Sequence, residues 1–144
     1  MLQSALVGIT YRWGGWGDAA AGLDCIGLAD HARRYYGLPG LRREMIAWVY
    51  ERWPSAEAAP PDLIDGIAKS VATTVTTPRQ FDLVLIRSNL HTCLGTLLPS
   101  TDILFMDGCQ SRCIERRRFN RMMRINGFVR PTTIVDQAAS ISSC

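Results

Sequence analysis

The chain has 144 residues, 47% hydrophobic and 20% charged, which suits one domain with a core and excludes a disordered polymer. Sixteen Lys and Arg against thirteen Asp and Glu leave +3, too mild a charge to argue for a nucleic-acid partner. Five cysteines, with no leader expected, exclude a fully paired secreted disulfide scaffold, and two histidines exclude a His-rich metal site and leave at most two candidate histidine bases.

Met1–Thr10 lacks a basic n-region and a long apolar run, so no Sec signal is expected. No stretch approaches the roughly 20 apolar residues of a membrane span. Ser4–Ile9 is predicted as a short apolar helix, followed by the aromatic, glycine-punctuated loop Tyr11–Gly17. A helix is predicted from Asp24 to Tyr36. Leu28, Ala29, Ala32, Tyr35 and Tyr36 form its apolar stripe, while Asp30, His31, Arg33 and Arg34 fall on the polar side. Gly37 and Pro39 end it. Further helices are predicted over Arg42–Trp53, stopped by Pro54, and over Pro61–Val71, entered through Pro60-Pro61. Strands follow at Asp82–Ile86, Thr92–Leu98, Ile103–Asp107 and Ile125–Val129. Helices first and an antiparallel sheet second make the α+β class. The polar tail after Pro131 reads as poorly ordered or as a docking segment.

Cys25 falls in the first turn of the Asp24–Tyr36 helix. A helix N-terminus stabilises an anion and draws a thiol pKa down. Cys25 also continues the apolar stripe, so two readings stay open: a nucleophile or a buried structural cysteine. His31 lies six residues along the same helix and belongs to its solvated face. His91, at the entry of the second strand, is the better base. A turn at Leu98-Pro99-Ser100 suggests a hairpin in which Leu97 pairs with Thr101. Gly95 then faces Ile103, Cys93 faces Phe105, and His91 faces Asp107. Cys25, His91 and Asp107 would then follow the logic of nucleophile, base and orienter.

Tyr11-x-Trp13-Gly14-Gly15 followed by Leu23-Asp24-Cys25-Ile26-Gly27-Leu28 resembles the signature of the NlpC/P60 cysteine peptidases. The Asp82-Leu83-Val84 strand and His91 are similar to that family's Gly-Asp-Leu and histidine strands. A helical insert (about 41–75), Arg116-Arg117-Arg118, and Gly127-Phe128-Val129-Arg130-Pro131 resemble the phage and gene-transfer-agent subgroup of tail-associated cell wall peptidases. The resemblance covers roughly residues 3–131 and implies a papain-like peptidase domain over 1–131, with a tail over 132–144. It implies hydrolysis of amide bonds in peptidoglycan stem peptides, with Cys25 as nucleophile and His91 as base. Tyr11 becomes the active-site tyrosine, Asp24 part of the nucleophile motif, and Asp107 the third polar residue. Trp13 supports the substrate cleft or anchors its loop. Backbone N–H groups at the helix start would hold the oxyanion. No metal or organic cofactor is implied. The expected partners are bacterial peptidoglycan and other tail-tip or baseplate proteins, with the protein carried in a virion tail. The sequence departs from the family at Ile26 (usually serine), Phe81 and Cys93 (usually glycine) and Asp107 (usually histidine). The alternative is a structural tail-tip protein that uses the same fold for assembly or as a plug.

Two other features are weighed against plainer readings. Cys93, Cys109 and Cys113 with His91 are too loosely spaced for a zinc site and read as ordinary reduced thiols. Seven arginines between Arg112 and Arg130 read as a solvated or docking face rather than a DNA site.

Overall fold

A computed structural model describes residues 5–87, 92–116, 118–119 and 124–135. Its elements in chain order are α1 (Cys25–Tyr35), a 3-10 turn (Arg43–Met45), α2 (Ala47–Arg52), α3 (Leu63–Val71) and strands β1 (Ala72–Val75), β2 (Leu83–Arg87), β3 (Thr92–Leu97), β4 (Asp102–Asp107), β5 (Gln110–Glu115) and β6 (Arg124–Pro131). The strands form one sheet in the order β1-β6-β2-β3-β4-β5, with antiparallel neighbours throughout. The protein is therefore α+β, as its helix-then-strand order predicts. No helix among the described residues is long and apolar enough to cross a membrane.

Strand alternation separates two faces of the sheet. Leu83, Leu94, Val129, Leu104 and Met106 pack against Ile26, Leu28, Ala29 and Ala32 of α1 and against the insert. Val84, Ile86, Leu97, Ile103, Phe105 and Ile114 line the opposite face, where the Phe119 ring meets Phe105 edge-on at 5.1 Å.

The helix expected over Ser4–Ile9 does not form in its described part. Ile9 N–H donates to Ser111 Oγ at 2.9 Å, and that buried hydroxyl donates to the Leu6 carbonyl at 2.7 Å. Gly8 N–H to Ser111 O and Ser111 N–H to Ile9 O continue the attachment. The segment thus gains backbone partners on the β5 edge that an isolated single turn could not supply. Arg42–Trp53 is broken at Ile46 into a 3-10 turn and the short α2. The chain beyond Pro131 is tied down as far as Val135. Thr132 N–H donates to Val71 O, Arg42 N–H donates to Ile134 O, and Ile134 is buried with α3.

Asp30 does not lie on a solvated helix face. It is buried, accepts from Arg34 Nε and Leu41 N–H, and so fastens the 37–41 turn to α1. A second buried carboxylate, Asp82, accepts a two-point bond from Arg130 Nε and Nη2, each 2.8 Å long, and a third from Arg79 N–H. That pairing joins the start of β2 to the end of β6 and takes one arginine out of the basic cluster. Arg112 pairs with Asp107, and the Arg116 guanidinium lies 4.8 Å from the Phe128 ring centroid.

The β3–β4 hairpin keeps its expected three-residue loop but moves it by one position. Leu97 pairs with Ile103, not Thr101, and Thr96 pairs with Leu104. Leu98 O accepts from Thr101 N–H, so Pro99 takes the second place of the turn and Thr101 the left-handed place, at φ 71°. Proline's fixed φ suits that second place and is disfavoured at the third, where the expected register puts it.

Candidate active site around Cys25

Asp24 organises the site. It is 3% exposed and caps α1, its Oδ1 accepting from Ile26 N–H at 3.1 Å and Gly27 N–H at 2.8 Å. Its Oδ2 accepts from Gly14 N–H at 3.1 Å and from the Tyr50 hydroxyl at 2.5 Å. One carboxylate thus ties the helix start, the glycine loop and the insert together.

Two glycines make that junction sterically possible. A Cβ on Gly27 would lie 2.1 Å from Gly15 O, and one on Gly15 would lie 2.3 Å from Gly22 O. Both distances are inside van der Waals contact. The glycines of the two motifs thus let the loop and the helix start touch backbone to backbone.

The Cys25 side chain is half-buried against the core between α1 and the sheet. The backbone N–H groups of Leu94 on β3 and of Cys25 itself favour the thiolate. Burial opposes them and dominates, and the charges of Asp24 and Cys93 also push the thiol up. The lowering expected of a helix N-terminus is therefore not realised. Ile26 and Gly27 N–H are already engaged by Asp24, which places a negative charge where the dipole would have offered a positive one. The same engagement changes the oxyanion expectation. Of the N–H groups in the first turn, Ile26 and Gly27 are taken, and that of Cys25 lies beside its own sulfur.

Tyr11 is half-buried. Burial raises its phenol first, and the charges of Cys25, Asp24 and Glu57 add to the shift, which places it among the groups surrounding the thiol. Its backbone holds it there, Tyr11 N–H donating to Cys109 O at 2.8 Å while Tyr11 bridges to Leu23. Trp13 acts as an anchor. Its Nε1 donates to Trp53 O at 3.0 Å, and its ring meets Tyr50 edge-on at 5.2 Å.

His91, the expected base, lies outside the described residues. Asp107 is described, and its surroundings differ from those expected. It follows Ile103 and Phe105 in alternation, on the sheet face away from α1. Its carboxylate accepts from Arg112 Nη1. Continued along β3 and β4, the observed register brings Asp107 level with Cys93. Burial and then the Asp107 charge push that thiol up to about 11. The structure therefore brings Cys25, Asp24, Tyr11 and the Trp13 loop together and leaves Asp107 among other partners.

Two contributors escape a reading of the sequence. Tyr50 and Arg43, both on the insert, meet at the glycine loop. The Arg43 guanidinium lies 4.8 Å from the Tyr50 ring centroid, and its Nη2 donates to Gly14 O at 3.4 Å. Neither sits in a motif. Only the packing of the insert reveals them.

No protein-family model matches the chain, and no curated protein matches it either.

Proposed function

We propose that the protein is a cysteine peptidase of papain-like NlpC/P60 type that hydrolyses amide bonds in peptidoglycan stem peptides, carried in a phage tail and acting at the host cell wall. One observation carries the reading. A thiol at the first residue of a helix packs against an antiparallel sheet, where the Leu94 N–H of β3 favours its thiolate, on the strand that follows His91 directly in sequence. Motif glycines in backbone contact and a motif aspartate capping the helix support it further.

In this reading His91 takes the Cys25 proton, and the thiolate attacks the scissile carbonyl. The tetrahedral oxyanion is met by the Cys25 N–H. The C–N bond breaks as His91 returns the proton to the leaving amine, leaving a thioester. Water, deprotonated by His91, then releases the acid and restores the thiol. No metal or organic cofactor enters these steps. The test is release of new amine ends from purified peptidoglycan. Wild type releases them, and Cys25→Ala, with an unchanged melting temperature, does not. Equal behaviour of the two proteins removes the enzymatic reading.

The second reading, a structural tail-tip protein with little catalysis, is favoured by one feature. Burial and the Asp24 charge hold the Cys25 thiol in its protonated form. It requires Cys25→Ala particles to assemble and infect as wild type does.

A further inference from the structure

We propose that Tyr50, supplied by the helical insert, is a positioning residue for Cys25, holding through its hydroxyl the Asp24 carboxylate that caps the nucleophile's helix. The proposal rests on the reading of Cys25 as the nucleophile.

The geometry is specific. Tyr50 lies 26 residues from Asp24 in the chain, yet its hydroxyl donates to Asp24 Oδ2 at 2.5 Å. The ring is held on two sides: Trp13 meets it edge-on, and the Arg43 guanidinium covers it. Asp24 Oδ1 holds the N–H groups of Ile26 and Gly27, the two residues after the nucleophile. A shift of the carboxylate therefore moves the first turn of α1 and the sulfur with it. Burial raises the Tyr50 phenol first, with the Asp24 charge and bond next, so the hydroxyl stays a donor throughout the working pH range.

The ionisable groups around Asp24 come from each neighbouring segment. Tyr50 and Arg43 belong to the insert, Tyr11 to the segment after the β5-edge attachment and Cys25 to α1, and Cys93 of β3 acts on Cys25. Among these, Tyr50 bonds the Asp24 carboxylate by its side chain. Its removal leaves the ionised carboxylate with one fewer donor, so more of the Asp24 charge reaches Cys25 and pushes its thiol further up.

The test uses the full chain and Tyr50→Phe, which keeps the ring and removes the oxygen. Two readouts separate positioning from mere support. On peptidoglycan, kcat should fall roughly tenfold while KM stays within twofold, the factor for losing one hydrogen bond to a charged group. In iodoacetamide labelling resolved by peptide mass spectrometry, the acid limb of the Cys25 pH profile should move upward, while the exposed Cys109 labels as in wild type. Incorporation of 3-fluorotyrosine at position 50, a stronger donor on the same ring, should move the Cys25 limb the other way. It also serves should Tyr50→Phe not fold. If wild type releases no amine ends, the peptidase reading falls and the labelling profiles alone decide the role of Tyr50. Cys25 profiles that superimpose across wild type and either position-50 variant overturn the proposal.

Discussion

Helix propensity and packing make opposite forecasts for Gly27→Ala. In an ordinary helix interior, replacing glycine by alanine stabilises by about 1 kcal/mol. Gly66 of α3 is such a site. It is exposed, and a Cβ there meets nothing within 4 Å. At Gly27 the new methyl would stand 2.1 Å from Gly15 O and 3.2 Å from Gly15 C. The loop must retreat by roughly 1 Å to restore contact distance, because the obstacle is backbone and has no rotamer to change. That retreat breaks the Asp24 N–H to Gly15 O bond, now 3.3 Å, and strains the Gly14 N–H bond to Asp24. Overpacking costs about 1–3 kcal/mol and one lost hydrogen bond about 1. Set against the propensity gain, the net is a loss of about 1–3 kcal/mol. For a chain of this size each kcal/mol moves the melting temperature by about 4 °C. Urea unfolding and calorimetry of the two variants should show Gly66→Ala above wild type and Gly27→Ala below it. A Gly27→Ala protein as stable as wild type would refute the backbone-contact account of the motif.

Four further outcomes concern other parts of the fold. Phe81 holds a left-handed φ of 69° while its ring is buried against Tyr36. Both truncations should destabilise through loss of the ring, but Phe81→Gly should be the milder by about 1 kcal/mol, since alanine keeps the strain and glycine does not; thermal melts of the pair give the order. Arg130→Met leaves the buried Asp82 without its guanidinium, so it should be less stable than the double variant Arg130→Met with Asp82→Asn, an ordering read from urea midpoints in a mutant cycle. Cys113 is pushed up to about 12 by burial and the Asp102 carboxylate, and Cys93 to about 11. Each thiol keeps its proton longer in the folded chain than in the unfolded one. Their contribution to stability is therefore intact below about pH 9 and lost as pH rises through 11–12, a decline visible in melts across that range. At neutral pH the exposed Cys109 should label long before either.

Local signals carried most of what the sequence reveals. The Asp24 cap, the apolar stripe of α1 and its Gly37 end are encoded within a dozen residues, and the helix forms within one residue of its predicted span. Strands β2, β3, β4 and β6 announce themselves by apolar runs. β1 and β5 do not. Ala72–Val75 is an edge strand with both threonines exposed, and β5 buries Ser111 where an alternating pattern would show a hydrophobe. The hairpin register turned on one dihedral preference. Pro99 fits the second turn position and not the third, and that choice moved Asp107 level with Cys93. Tyr50 and Asp30 were illegible because their roles depend on contacts across the insert and the 37–41 turn. No periodicity encodes such contacts.

The cap explains why the thiol differs from the expected one. A helix start can lower a cysteine pKa only through N–H groups left unsatisfied. Here Asp24 takes two of them and contributes its own charge beside the sulfur, while burial adds to the penalty. In exchange the same carboxylate fixes the glycine loop, the insert tyrosine and the helix start in one hydrogen-bonded unit. Placement of the sulfur is thus separated from its activation. In the peptidase reading the activation falls on His91, aided by the Leu94 N–H, rather than on the helix dipole. His91→Ala should then abolish amine release while leaving the melting temperature and the Asp24 unit intact.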